Sequence, residues 1–66
     1  MKFSIIIPIY NAEFLEKQLQ TLEKQSFSKD DFEIVYVDDG SDIEYTENYK
    51  KLFQKHSSLN IYYHYL

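Results

Sequence analysis

Two short segments carry the side chains best suited to chemistry, Pro8-Ile9-Tyr10-Asn11 and Asp38-Asp39-Gly40-Ser41. Tyr10 offers an aromatic face on which a planar base could stack. Asp39 offers a carboxylate that accepts a hydrogen bond from a base N–H. Backbone amides near Ser41 would open a helix N-terminus, where negative charge is stabilised. Each feature also has a plain structural explanation. Asp-Asp-Gly after a strand is a common turn, because Asp tolerates unusual dihedrals and Gly supplies a positive φ. Pro8 would end a strand, Asn11 would cap a helix, and Tyr10 would be a half-buried aromatic.

The elements around these segments decide whether they meet. Phe3-Ser4-Ile5-Ile6-Ile7 is rich in β-branched residues and suits a strand of a parallel sheet, covered on both faces. Leu15, Leu19 and Leu22 fall at i, i+4, i+7, with Glu16, Lys17, Gln20, Glu23 and Lys24 on the opposite side. That spacing predicts an amphipathic helix over about 12–25, with Asn11 as its N-cap. A polar connection, residues 26–31, leads to a second β-branched and aromatic strand over about 32–37. Ser41-Asp42-Ile43-Glu44 matches the S-x-x-E capping box and predicts a helix over about 43–56. Its apolar stripe is Tyr45, Tyr49, Leu52 and Phe53, extending to His56, which would complement the helix C-terminus. Ser57-Ser58 breaks it, and a third strand follows over about 60–65.

The order β-α-β-α-β predicts an α/β fold with a three-stranded parallel sheet, because crossovers of this length join parallel strands. This is the mononucleotide-binding half of a doubly wound sheet. Such sheets bind ligands beyond the carboxyl ends of their strands, where both segments fall.

Composition narrows the field. The 66 residues allow one small domain, which buries only about 60% of the surface exposed by its unfolded chain. No cysteine is available to staple it. The net charge of −4 argues against nucleic-acid binding and against docking on an anionic membrane. The apolar run ending at Ile9 is far short of the ~20 residues that span a bilayer. It resembles a weak signal peptide after Met1-Lys2, but no small-residue cleavage site follows. A single glycine makes neither G-x-G-x-x-G nor a P-loop. The glycine and distal Glu after Asp38 fall at the wrong offsets for an EF-hand. His56 and His64 are isolated, whereas metal sites need several convergent groups.

The combination of segments is more specific than any one of them. Residues 4–13, then Gln25-Ser26-Phe27, then residues 32–41 closely resemble the opening of family 2 glycosyltransferases. That opening reads as an apolar strand, P-x-Y-N, a helix ending near Q-[ST]-[FY], and F-E-I-[IV]-V-V-D-D-G-S. The resemblance covers residues 3–41 almost without a gap; beyond residue 57 only a generic third strand matches. It departs after Ser41, where Asp42-Ile43-Glu44 replaces the family's usual Thr and Asp.

The resemblance implies a GT-A (Rossmann-like) fold, with residues 1–66 as the truncated N-terminal half, a partial nucleotide-sugar-binding domain. Strand order would be third-second-first, with both helices on one face. It implies a glycosyltransferase that moves a sugar from a nucleotide diphosphate sugar, expected to be UDP-linked, to a saccharide or lipid-linked acceptor, as in cell-envelope polysaccharide synthesis. Pro8 and Tyr10 would flank the base, Asp39 would hydrogen-bond it, and Glu13 would approach the nucleotide; Asp38 would support the loop. A divalent metal, Mg2+ or Mn2+, would be held in the full-length enzyme by a D-x-D motif outside this chain, as would the catalytic base. The location implied is cytoplasmic, with membrane association of the full-length enzyme.

Two other readings compete. A non-catalytic α/β binding or interaction module would lack a D-x-D downstream. A receiver-like domain would carry an acidic pair after its first strand, where this chain has Pro-Ile-Tyr-Asn. In the GT-A arrangement, with order third-second-first, the 66-residue chain alone would expose the Phe3–Ile7 edge of its first strand and one sheet face. It is therefore expected to self-associate and to be inactive.

Overall fold

The computed structural model describes residues 3–25 and 28–66. Met1, Lys2, and Ser26-Phe27 of the family-like motif lie outside the described residues. The elements are β1 (Phe3–Ile9), α1 (Leu15–Glu23), β2 (Phe32–Asp38), α2 (Ile43–Lys55) and β3 (Ile61–Tyr65), with a 3-10 turn at Lys29–Asp31 before β2. All strands are parallel and lie in the order β1-β2-β3. This is the expected α/β arrangement.

Register follows from the pleat. Phe3, Ile5, Ile7 and Ile9 stand opposite Phe32, Ile34, Tyr36 and Asp38. In β2 this set is buried, while Glu33, Val35 and Val37 on the other face are only half-buried. Both helices cover the first face. Leu15 and Leu19 from α1, and Tyr49 and Leu52 from α2, join Phe32, Ile34 and Tyr36 in one core. Each fully buried side chain of this kind stabilises the fold by about 1.5–3 kcal/mol. Tyr36 serves both helices, stacking on Phe53 at 5.5 Å and donating its hydroxyl to Gln18 Oε1 at 2.8 Å. Burial raises the Tyr36 hydroxyl to about 12, so it remains a donor.

α1 starts later than the sequence expectation, and α2 starts at Ile43 as expected but without the expected cap. α1 begins at Leu15, and Phe14 stands at its N-cap without a side-chain cap bond. Asn11 is not a cap. Its φ of 44° places it in the left-handed region, which Asn tolerates better than most residues. Its amide side chain forms a ring with Asp42, accepting from the Asp42 N–H at 2.9 Å and donating to Asp42 Oδ2 at 3.2 Å. At α2 the N-cap is Asp42, and no side-chain cap forms. The capping box fails because its serine is already engaged elsewhere: Ser41 Oγ binds Asp38 at 2.6 Å.

Strand β1 continues one residue past Pro8. The Ile9 carbonyl accepts the Asp39 N–H at 2.9 Å, so Ile9 points its backbone groups at β2. Pro8 therefore turns its proton-less nitrogen to the open edge, where no ladder bond is lost.

Candidate functional site

The carboxyl ends of β1 and β2 are adjacent, since Ile9 pairs with Asp38. Tyr10 and Asp39 are the next residues on the two strands, and both are exposed. Tyr10 is 60% exposed, an arrangement that leaves its ring available to a planar ligand. Pro8 lies one step back on the uncovered sheet face, in a row with Val37 and His64. Glu13 is turned toward α2, where its Oε1 accepts from the Tyr45 hydroxyl at 3.5 Å. The Glu13 carboxylate, with burial and that hydrogen bond, raises the Tyr45 hydroxyl above its ordinary value. Tyr10 and Asp39 thus share one rim, Pro8 borders it on the open face, and Glu13 lies on the helix side against Tyr45.

Beneath the rim is a polar network that sequence reasoning recognised only at Asp38. The carboxylate of Asp38 is fully buried. Its Oδ1 accepts the Ser41 N–H at 2.9 Å and the Ser41 hydroxyl at 2.6 Å, and its Oδ2 accepts the Tyr63 hydroxyl. Burial pushes the Asp38 carboxyl up, but the bonds from Ser41 and Tyr63 outweigh it and hold the group below its ordinary value. Tyr63 moves the other way, raised by burial and by its bond to Asp38.

The network reaches the first loop. Ser41 Oγ accepts the Asn11 N–H at 2.8 Å, and the Tyr49 hydroxyl accepts the Ala12 N–H at 2.7 Å. Ser41 spends its one proton on Asp38, so the 3.3 Å contact between the two hydroxyls has Tyr49 as donor. In sequence Tyr49 reads as part of the α2 apolar stripe and Tyr63 only as a residue of the third strand. Their hydroxyl roles depend on contacts across 37 and 25 positions, which spacing does not reveal.

Gly40 completes the second loop with φ of 79°, a conformation that L side chains rarely adopt.

Among the described residues, no three His, Cys, Asp or Glu side chains converge on a possible metal site. Both oxygens of Asp38 are already occupied. The described residues do not fit a divalent cation.

The model of the glycosyl transferase family 2 matches residues 4–65. This chain belongs to glycosyltransferase family 2. A poly(ribitol-phosphate) beta-glucosyltransferase of Bacillus spizizenii is 41% identical over 58 residues, covering 82% of this chain and 9% of that protein. Residues 1–349 of TarS from Staphylococcus aureus superpose with a TM-score of 0.78 at 39% identity, covering 100% of this chain and 19% of that one. The same TarS portion has been solved with UDP-GlcNAc. A mannosyltransferase of Pyrobaculum calidifontis, solved with GDP-Man and Mn2+, superposes with a TM-score of 0.81 over 97% of this chain and 19% of its own; at 23% identity it attests the fold. The family chain therefore spans less than a tenth of the curated glucosyltransferase and about a fifth of the solved chains.

Proposed function

We propose that this chain is the nucleobase-binding part of a glycosyltransferase that uses a UDP-sugar. The observation that carries the reading is the placement of Tyr10 and Asp39 side by side at the carboxyl ends of adjacent parallel strands, tied by the Asp39 N–H to the Ile9 carbonyl. Tyr10 stacks on uracil, and the Asp39 carboxylate accepts its N3–H. Pro8 flanks the base from the open sheet face, and Glu13 approaches the nucleotide from the helix side. The TarS portion that superposes on this chain at 39% identity binds UDP-GlcNAc, which supports a uridine nucleotide.

The reaction is displacement at the anomeric carbon. The acceptor oxygen forms the new bond as the bond to the diphosphate breaks. A carboxylate outside this chain takes the acceptor proton. A divalent cation, Mg2+ or Mn2+, would be held by groups outside this chain and would supply charge neutralisation for the leaving diphosphate. The acceptor is a saccharide or lipid-linked chain; relatives named for poly(ribitol-phosphate) support a polymeric one. The reading carries a cytoplasmic site of action, with membrane association of the full-length enzyme. No helix among the described residues is long and apolar enough to cross a membrane.

The test is Asp39→Ala in the full-length protein, titrated with UDP by calorimetry. Losing a charge-assisted hydrogen bond of about 1.5–3 kcal/mol should raise the Kd roughly tenfold to a hundredfold. An unchanged Kd would refute the base-site assignment.

A further inference from the structure

We infer that Ser41 is a positioning residue that sets the alignment of Tyr10 against Asp39, and through it the choice of nucleobase. This deepens the base-site reading and rests on it. Tyr10 is held by the second loop on both of its flanks. The carbonyl of Ile9, just before it, accepts the Asp39 N–H at 2.9 Å. The N–H of Asn11, just after it, donates to Ser41 Oγ at 2.8 Å. The first bond is an ordinary ladder rung. The second depends on one side-chain oxygen, and that oxygen is anchored to the buried Asp38 carboxylate at 2.6 Å.

Ser41 is itself 2% exposed, so water does not stand in for its hydroxyl. Removing Oγ strands the Asn11 N–H and leaves Asp38 short of a donor. Asn11 already holds a left-handed φ of 44° and would lose the bond that fixes its nitrogen. Tyr10 would then swing relative to Asp39. The two groups that read the base would no longer face it together.

Base choice reports this alignment better than affinity does. A carboxylate at Asp39 suits uracil, whose N3 carries a proton. It faces a lone pair on cytosine N3. Contacts to ribose and diphosphate are common to both nucleotides.

The experiment is calorimetric titration of the full-length protein with UDP and with CDP, for wild type, Ser41→Ala and Ser41→Thr. Ser41→Ala should weaken UDP roughly tenfold more than it weakens CDP, which loses stacking alone, so that the preference for UDP collapses. Ser41→Thr keeps the hydroxyl, and Ser41 borders a hollow of ~380 Å³ together with Thr46 and Tyr63; it should restore the preference. A purely structural role would lower the number of binding sites, or weaken both nucleotides alike, without changing their ratio. Those outcomes overturn the inference, as does a Ser41→Ala protein that keeps the wild-type preference. Wild type that binds UDP and CDP equally overturns the base-site reading as well.

Discussion

Asp38 shows how one buried carboxylate governs a loop. Its three donors come from a turn amide, a serine and a tyrosine on β3. In Asp38→Asn an amide group must face one of these donors, which leaves a buried polar group unsatisfied at a cost of about 1–3 kcal/mol. The loss should appear as a lower urea midpoint of the full-length protein at pH 7. Its pH dependence has a definite sign. The folded carboxyl lies below its ordinary value of 3.8, so its stabilisation is complete above that value and is lost as pH falls through the lower folded one. The gap between wild type and Asp38→Asn should therefore narrow below about pH 3.8. A gap that stays constant through that range would mean that charge at Asp38 does not matter.

The two helices are tied at their C-terminal ends, away from the candidate site. His56, the residue ending α2, is buried, and its Nδ1 lies 2.7 Å from Glu23 Oε1 on α1. Ser58 donates to the other Glu23 oxygen at 3.1 Å. Its bond with His56 is the leading cause that lowers the Glu23 carboxyl below 4.5. Because the folded value is lowered, this contribution is full above pH 4.5 and fades as pH falls below it. Glu23→Gln should destabilise the full-length protein above that pH and match wild type in strong acid, as followed by denaturant unfolding at a series of pH values. Equal stability of the two proteins at pH 7 would make the tie incidental. The exposed pair of Lys55 and Glu16, at 3.2 Å, adds little beside it.

At the scale of the molecule, the described residues cover the sheet on one face only. Ile6 is 67% exposed and Tyr62 49% exposed on the other face, and among the described residues β1 pairs with β2 alone. The backbone groups of Ser4 and Ile6 point to the open edge, since those of Ile5 and Ile7 point to β2 as Ile9 does. An apolar strand edge of this kind templates pairing with another chain. A 66-residue domain has little stability in reserve against such exposure. We therefore propose that the isolated 66-residue chain self-associates and transfers no sugar. Sedimentation equilibrium at micromolar concentration checks it; a clean monomer with cooperative unfolding would mean that one covered face suffices.

Sequence alone determined the kind and order of the elements, because strand and helix periods are local. Phe32, Ile34 and Tyr36 alternate inward, and Leu15 and Leu19 share a stripe, whatever lies around them. It also determined that Pro8, Tyr10 and Asp39 fall where parallel strands end, since each directly follows or closes a β-branched run. Tertiary structure decided the start of α1, the caps and the wiring of the site. Asn11 and Ser41 are both good caps locally, yet each found a stronger partner about thirty residues away: Asn11 bonds Asp42, and Ser41 holds the Asn11 amide while leaning on Asp38. A cap on an exposed helix end is worth about 1 kcal/mol, whereas an unsatisfied buried carboxylate costs more, so Ser41 turns to Asp38 three positions back instead of capping α2. Which hydroxyls would surround that carboxylate depended on Tyr49 and Tyr63 arriving from α2 and β3, and only the folded chain brings them together.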